Sequence, residues 1–242
     1  MRCCFITLGC RVNQYESDAM AELLTQAGFE ITENPAEADV CIVNTCTVTN
    51  IADRKSRQML SKAHKLNPNA KLIAAGCFAQ RSPEAAAKLE GVYAVLGSAD
   101  KNRVVELVKS IAEGRENEPK SEKCNCGEKE LCDCCGGMKK FEQPENSECS
   151  GNAAGGAKIL VRDVMHEHEF EEMSAVHEGR TRAYLKIQDG CNMFCTYCAI
   201  PYARGGLRSR SIESVRAEAE KLNSEGFSEV VLTGIHLMSY GR

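Results

Sequence analysis

Residues 40–77 read VCIVNTCTVTNIADRKSRQMLSKAHKLNPNAKLIAAGC. Two short apolar runs, VCIVN (40–44) and KLIAAG (71–76), are rich in β-branched and aliphatic side chains and close on turn residues, the pattern of strands buried on both faces. Between them, Asn50 with Asp53 opens a helix that runs to about Leu66. Ala52, Met59, Leu60, Ala63 and Leu66 share its inner side, and Arg54, Lys55, Arg57, Lys62 and Lys65 lie away from them. Strand, helix and strand in that order imply a parallel pair joined by a crossover. A cysteine follows each strand, Cys46 and Cys77.

The same rhythm extends outward on both sides. CCFITL (3–8) reads as a strand, followed by a helix with Asn13 and Glu16 as a capping pair and Gly28 as its stop. A helix opens at Ser82 with Pro83 in its first turn and ends at Gly91; YAVLG (93–97) is the next strand, and a helix from about Lys101 to Ala112 completes the pattern. Residues 1–112 are therefore expected to form an α/β unit, a doubly wound parallel sheet. Residues 113–178 break the rhythm as an acidic, cysteine-rich linker or insertion. RAYLKIQ (182–188) then starts a new strand, Ser211 opens a helix with Ile212, Val215, Ala219 and Leu222 inward, and EVVLTG (229–234) is a further strand. Residues 179–242 thus begin a second α/β unit.

Of the 242 residues, 43% are apolar and 26% charged, the balance of a chain that buries a core. No apolar run approaches the roughly 18–20 residues that a bilayer crossing needs, so no membrane span is expected. The net charge of −4 is unevenly placed: residues 113–178 hold 16 acidic and 8 basic residues, leaving 18 acidic and 22 basic elsewhere, which keeps a nucleic-acid partner open. Fifteen cysteines, an odd number without an export signal, argue against a disulfide framework and for metal or catalytic thiols in a reducing, cytoplasmic setting.

GCNMFCTYC (190–198) sets Cys191, Cys195 and Cys198 in a Cys-x3-Cys-x2-Cys array just after a strand. Three thiolates at that spacing can hold one [4Fe-4S] cube from a single loop and leave its fourth iron open to a small molecule. A structural zinc knuckle is the plainer alternative, although such sites usually want four ligands. Cys10, Cys46 and Cys77 each follow a predicted strand by at most two residues. Parallel strands all end on one edge of their sheet, so the three sulfurs can meet there. Cys3, Cys4 and Cys41 lie inside strands, where the default is a small buried apolar side chain. Cys124, Cys126, Cys132, Cys134, Cys135 and Cys149, with His166 and His168 nearby, are spaced irregularly; a zinc site or a thiol-rich linker both fit.

TLGCRVNQYESDAM, NTCTVTNIADRKSRQ, AAGCFAQR, GRTRAYLKIQDGCNMFCTYCAIPYARGGLRSR and LTGIHLMSYG together resemble the radical S-adenosylmethionine methylthiotransferases, over residues 3–112 and about 158–242. Within that family they look most like the branch that converts N6-threonylcarbamoyladenosine at tRNA position 37 to its 2-methylthio form. The resemblance implies a flavodoxin-like sheet followed by the first strands of a radical S-adenosylmethionine α/β barrel. It implies two [4Fe-4S] clusters, an auxiliary one on Cys10, Cys46 and Cys77 and a catalytic one on Cys191, Cys195 and Cys198.

The implied cofactor is S-adenosyl-L-methionine, with Tyr197, Arg204 and Gly234 on its side of the site, and the implied partners are an electron donor and the anticodon-loop adenosine of tRNA. One S-adenosylmethionine would methylate a sulfur on the auxiliary cluster and a second would yield the radical that activates C2 of adenosine. Arg208 and Arg210 are expected near substrate or cofactor, and Asn13, Gln14 and Asn44 near auxiliary sulfur; the basic side of the 50–66 helix reads either as a solvated face or as a phosphate-contacting surface. The same chemistry on isopentenyl-modified adenosine or on an aspartate of a ribosomal protein is the near alternative, and a non-catalytic metal-binding or thiol-redox protein the distant one. The 64 residues from Gly179 hold about two barrel strands at ~30 residues per strand–helix–strand unit, so a truncated chain with little activity alone is expected.

Overall fold

The computed structural model describes residues 1–114, 156–175 and 181–242. β1 (Arg2–Thr7), β2 (Glu30–Thr32), β3 (Val40–Thr45), β4 (Lys71–Gly76), β5 (Val92–Leu96) and β6 (Lys158–Leu160) form one sheet in the order β2-β1-β3-β4-β5-β6, every neighbouring pair parallel. The central strand β3 is buried along its whole length, as a strand covered on both faces must be.

Helices cover the two faces. α1 (Arg11–Gln26) and α5 (Val104–Ala112) lay Tyr15, Met20, Leu24, Val104 and Val108 against Cys3, Ile42 and Ile73. α2 (Asn50–Leu66), α3 (Cys77–Arg81) and α4 (Pro83–Ala87) lay Leu60, Ala63, Phe78 and Ala86 against Cys41, Val43 and Ala74. Each fully buried side chain such as Leu60 or Leu24 contributes about 1.5–3 kcal/mol, the main force pressing the helices to the sheet. The α/β doubly wound, flavodoxin-like expectation holds: the first five strands follow the order 2-1-3-4-5.

Three local readings change. α1 begins directly after Cys10, and Asn13 and Glu16 lie inside it at 0% exposure, so they are not a capping pair. α2 is capped by Thr49, whose hydroxyl accepts from the Ala52 amide at 3.1 Å, one residue before the expected Asn50. Lys158–Leu160, placed in the linker by sequence, extends the sheet beside β5, and Met173 and Ala175 join the core under α1; three partly exposed residues are too few to announce a strand. Ser211 caps its helix as expected, accepting from the Ser214 amide at 3.1 Å.

In the second unit β7 (Ala183–Lys186) and β10 (Val230–Thr233) pair in parallel across α7 (Ile212–Ser224), the crossover closing over Leu185, Ile187 and Leu222. β8 (Gln188–Asp189) and β9 (Arg208–Ser209) form a short antiparallel pair, and α6 (Ile200–Arg204) lies between them. Among the described residues no helix is long and apolar enough to cross a membrane.

Candidate functional site

β1, β3 and β4 are neighbours, and their register aligns Thr7 with Asn44, Asn44 with Ala75 and Thr45 with Gly76, so their carboxyl ends are level. Cys46 and Cys77 follow β3 and β4 directly, and Cys10 follows β1 by three residues at the start of α1. The strand order reverses between β1 and β3, which makes this edge the crevice where open α/β sheets bind ligands. Cys77 and Cys46 are buried and Cys10 is exposed, so the group has one open side.

Several polar side chains hold this edge. Asn13 donates through Nδ2 to the Leu8 carbonyl at 2.8 Å and the Thr45 carbonyl at 2.9 Å, tying together the backbone that leads into Cys10 and Cys46. Ser56 brackets Cys46, accepting from its amide at 3.0 Å and donating to its carbonyl at 2.8 Å. Asn44 donates to the Asn13 carbonyl and the Ser17 hydroxyl rather than to a cysteine, and the sulfur of Cys10 lies 3.8 Å from Asn13 Oδ1. Gln14 pairs with Asp18 at 2.9 Å. Gly9, at φ +100°, passes so near Cys46 that a Cβ on it would lie 2.8 Å from Cys46 Cβ and 2.9 Å from its sulfur.

Burial pushes the Cys77 thiol above its ordinary value; Arg204 opposes that shift, and Glu16, Cys10 and Cys46 reinforce it. Cys10 and Cys46 thus both lie within electrostatic reach of Cys77. Among the described residues no three His, Cys, Asp or Glu side chains form a group fit for a single metal ion. A cube gives each cysteine its own iron and so takes more widely set sulfurs, and an all-sulfur donor set suits iron–sulfur chemistry.

Cys191, Cys195 and Cys198 occupy the loop between β8 and α6, half-buried, exposed and half-buried. The loop is pinned at both ends: the Cys191 amide donates to the Gly205 carbonyl at 3.1 Å, and the Cys198 amide to the Cys195 carbonyl at 2.9 Å. Asn192 Oδ1 accepts from the Leu207 amide at 2.9 Å. Phe194, between the first two cysteines, has φ +46°, a conformation bulky L-residues rarely adopt and one that marks a loop held in a set shape by its surroundings. Tyr197 points to solvent at 89% exposure. Gly234 directly follows β10, and the buried Gln188 links that strand end to the loop: its Oε1 accepts from the His236 amide at 2.6 Å, and its Nε2 donates to the Asp189 and Gly190 carbonyls at 2.7 Å. Sequence reading did not single out Gln188, since nothing in a lone glutamine signals that it will be buried.

Between the two cysteine groups lies a buried ionic cluster. Arg204, with no exposed surface, grips Glu16 through both nitrogens, Nη1 at 2.8 Å and Nη2 at 3.1 Å, and also reaches Asp189 at 3.1 Å and Asn13 Oδ1 at 2.5 Å. Lys186 pairs with Glu16 at 2.7 Å and Asp189 at 2.6 Å, and Lys101 reaches Glu16 at 3.3 Å. Burial alone would raise the Glu16 carboxyl, but Arg204, Lys101 and Lys186 overcome it and hold the group well below the usual carboxylate range. Asp189 behaves alike: burial is outweighed first by Lys186, then by Arg204 and Arg208.

Arg208 donates to the Arg204 carbonyl at 2.5 Å, and Arg210 pairs with Glu172 at 2.8 Å and Glu218 at 3.3 Å. The three arginines expected beside substrate or cofactor are therefore all buried in ion pairs, and Arg204 faces the N-terminal sheet edge. His166 is an exposed residue 3.8 Å from Asp163. The six cysteines from 124 to 149 lie outside the described residues.

Comparison with known proteins follows this division. Residues 2–97 match the model of an uncharacterized protein family, UPF0004, and residues 185–240 match the radical SAM superfamily. Over 98% of its length the chain is 38% identical to the threonylcarbamoyladenosine tRNA methylthiotransferase MtaB of Bacillus subtilis, covering 44% of that protein. It is 35% identical over its full length to the protein of that name from Aquifex aeolicus, covering 49% of it, and 32% identical to the ribosomal protein uS12 methylthiotransferase RimO of Chloroflexus aurantiacus, covering 47%. The chain spans a little under half the length of these relatives. Both matched regions carry a cysteine group and are joined through buried charge, and the chain is similar along its whole length to methylthiotransferases, with a radical SAM match in its second unit.

Proposed function

We infer that the protein takes part in methylthiolation of tRNA, converting N6-threonylcarbamoyladenosine at position 37 to its 2-methylthio derivative. The observation that carries this reading is the apposition of two cysteine groups across one buried interface: α3, which begins at Cys77, packs on α6, which follows the Cys198 loop. Replacing hydrogen on an aromatic carbon needs a radical, because no side chain is basic enough to remove it as a proton. A cluster on Cys191, Cys195 and Cys198 together with S-adenosyl-L-methionine would supply that radical, and a second cluster on Cys10, Cys46 and Cys77 would carry the sulfur.

The chain's own residues do the holding. Gln188 ties the Cys191 loop to the end of β10, where Gly234 offers a surface without a side chain to S-adenosylmethionine. Exposed Tyr197 and half-exposed Phe194 are available to an incoming base or cofactor. On α2 the cations of Arg54, Lys55, Lys62 and Lys65 face solvent, a surface suited to an RNA backbone. Mass spectrometry of tRNA nucleosides tests the assignment. Deleting the gene should remove 2-methylthio-N6-threonylcarbamoyladenosine. Persistence of that nucleoside, with loss instead of the methylthio group on ribosomal protein uS12 or on isopentenyl-modified adenosine, overturns it.

A further inference from the structure

The cluster between the units carries more positive than negative charge. Lys101, Lys186, Arg204 and Arg208 have side chains 0–6% exposed, against only Glu16 and Asp189 in the same interior. Further carboxylates stand at its more open edge: Glu171, 4.0 Å from Lys101, and Glu167 and Glu169, which line the cavity beside Asp189 and Arg208. Buried charge is strongly unfavourable unless it is paired, so the fully buried cations of this cluster must be held by fixed partners. Arg204 is the member of this cluster that reaches the sheet edge, with its Nη2 on Asn13 Oδ1. Its Nε, and that of Arg208, are buried donors with no partner among the described residues.

The same arginine also acts by geometry. Its Nη2 meets Asn13 Oδ1 at 2.5 Å, and that amide's other end holds the carbonyls of Leu8 and Thr45, the approaches to Cys10 and Cys46. Asn13 and Glu16 belong to the first unit and Arg204 to the second, 191 and 188 residues away along the chain.

We propose that Arg204 is a positioning residue through which the second unit completes the Cys10, Cys46 and Cys77 edge, aligning Asn13 and supplying the positive charge that makes a cluster held there easier to reduce. This rests on the reading that these cysteines hold an iron–sulfur cluster. A reduced cluster is one charge more negative than its oxidised form, so a fixed cation nearby favours reduction and a fixed anion opposes it.

The test uses the full chain with Cys191, Cys195 and Cys198 replaced by alanine, so that bound iron reports only the N-terminal group. After anaerobic reconstitution, a dye-mediated redox titration followed by electron paramagnetic resonance gives the midpoint potential. Arg204→Met should disfavour reduction at least tenfold, ~59 mV to more negative potential for one electron. Arg204→Lys should restore most of that shift while leaving the fork to Glu16 broken, and Glu16→Gln should move the potential the opposite way. Glu16 keeps Lys186 and Lys101 when Arg204 is replaced, so the fold is expected to survive. Potentials that stay fixed, or that move in the same direction for Arg204→Met and Glu16→Gln, overturn the proposal while leaving the cluster assignment standing. A parent chain that binds no iron sinks the cluster assignment itself, and this proposal with it.

Discussion

Replacing Gly9 with alanine isolates the close approach of β1's exit to Cys46. Gly9 stands at φ +100° and Gly28 at φ +87°, so an L-residue at either is strained by roughly 1–2 kcal/mol. Around Gly28 a new Cβ meets nothing within 4 Å, whereas at Gly9 it lies 2.8 Å from Cys46 Cβ and 2.9 Å from its sulfur. Forcing a methyl group into such packing adds about 1–3 kcal/mol. Gly9→Ala should therefore cost about 2–5 kcal/mol and Gly28→Ala about 1–2 kcal/mol, measured by urea unfolding of the full chain with unchanged m-values. The second readout is iron after anaerobic reconstitution, about eight atoms per chain for two cubes. Gly28→Ala should keep that number, and Gly9→Ala should lose about half, because the atoms it displaces belong to Cys46. Equal destabilisation by both substitutions together with unchanged iron would refute the reasoning.

Other outcomes follow from the same packing and charge. Ser56→Ala removes both partners of the Cys46 backbone and should cost about 1–3 kcal/mol by urea unfolding, while the conservative Ser56→Thr should cost less if its methyl is accommodated. Reversing charge at Lys55, Lys62 and Lys65 should weaken tRNA binding and flatten its salt dependence by roughly 0.7–0.9 per lost phosphate contact, read from filter binding across a salt series. Among the described cysteines of the cluster-free chain, iodoacetamide should label exposed Cys10 and Cys195 ahead of the rest, with buried Cys3, Cys4 and Cys41 reacting only on unfolding, as mass spectrometry can follow. Burial raises the Cys3 thiol to about 11 from an ordinary 9.0, so the folded state binds its proton more tightly; that increment of stability is intact below pH 9 and should fall away as pH rises toward 11, an effect absent in Cys3→Ala.

The strands and crossovers were legible because runs such as VCIVN and KLIAAG are buried on both faces and leave little room for another reading. The level placement of residues 10, 46 and 77 follows from parallel topology alone, once those strands are recognised. What escaped was every feature that depends on distant partners. Asn13 and Glu16 have the spacing of a local helix cap, and Arg204, Lys186 and Lys101, brought from far along the chain, turn them into buried anchors. Arg204, Arg208 and Arg210 sit in a glycine- and arginine-rich stretch that suggests an open, anion-facing loop; their carboxylate partners lie partly on other elements. Lys158–Leu160 offered too few residues for its pattern to compete with the polar stretch before it.

The level strand ends of β1, β3 and β4 set an order of events. Residues 191, 195 and 198 sit within eight positions of one another, so local motion can bring them together without any sheet. Residues 10, 46 and 77 approach only after two crossovers have closed and three strands have zipped side by side, contacts of long sequence separation that form late and slowly. If these cysteines hold iron as proposed, metal at the N-terminal edge has to wait for native folding there, and a destabilised sheet will fail to hold it.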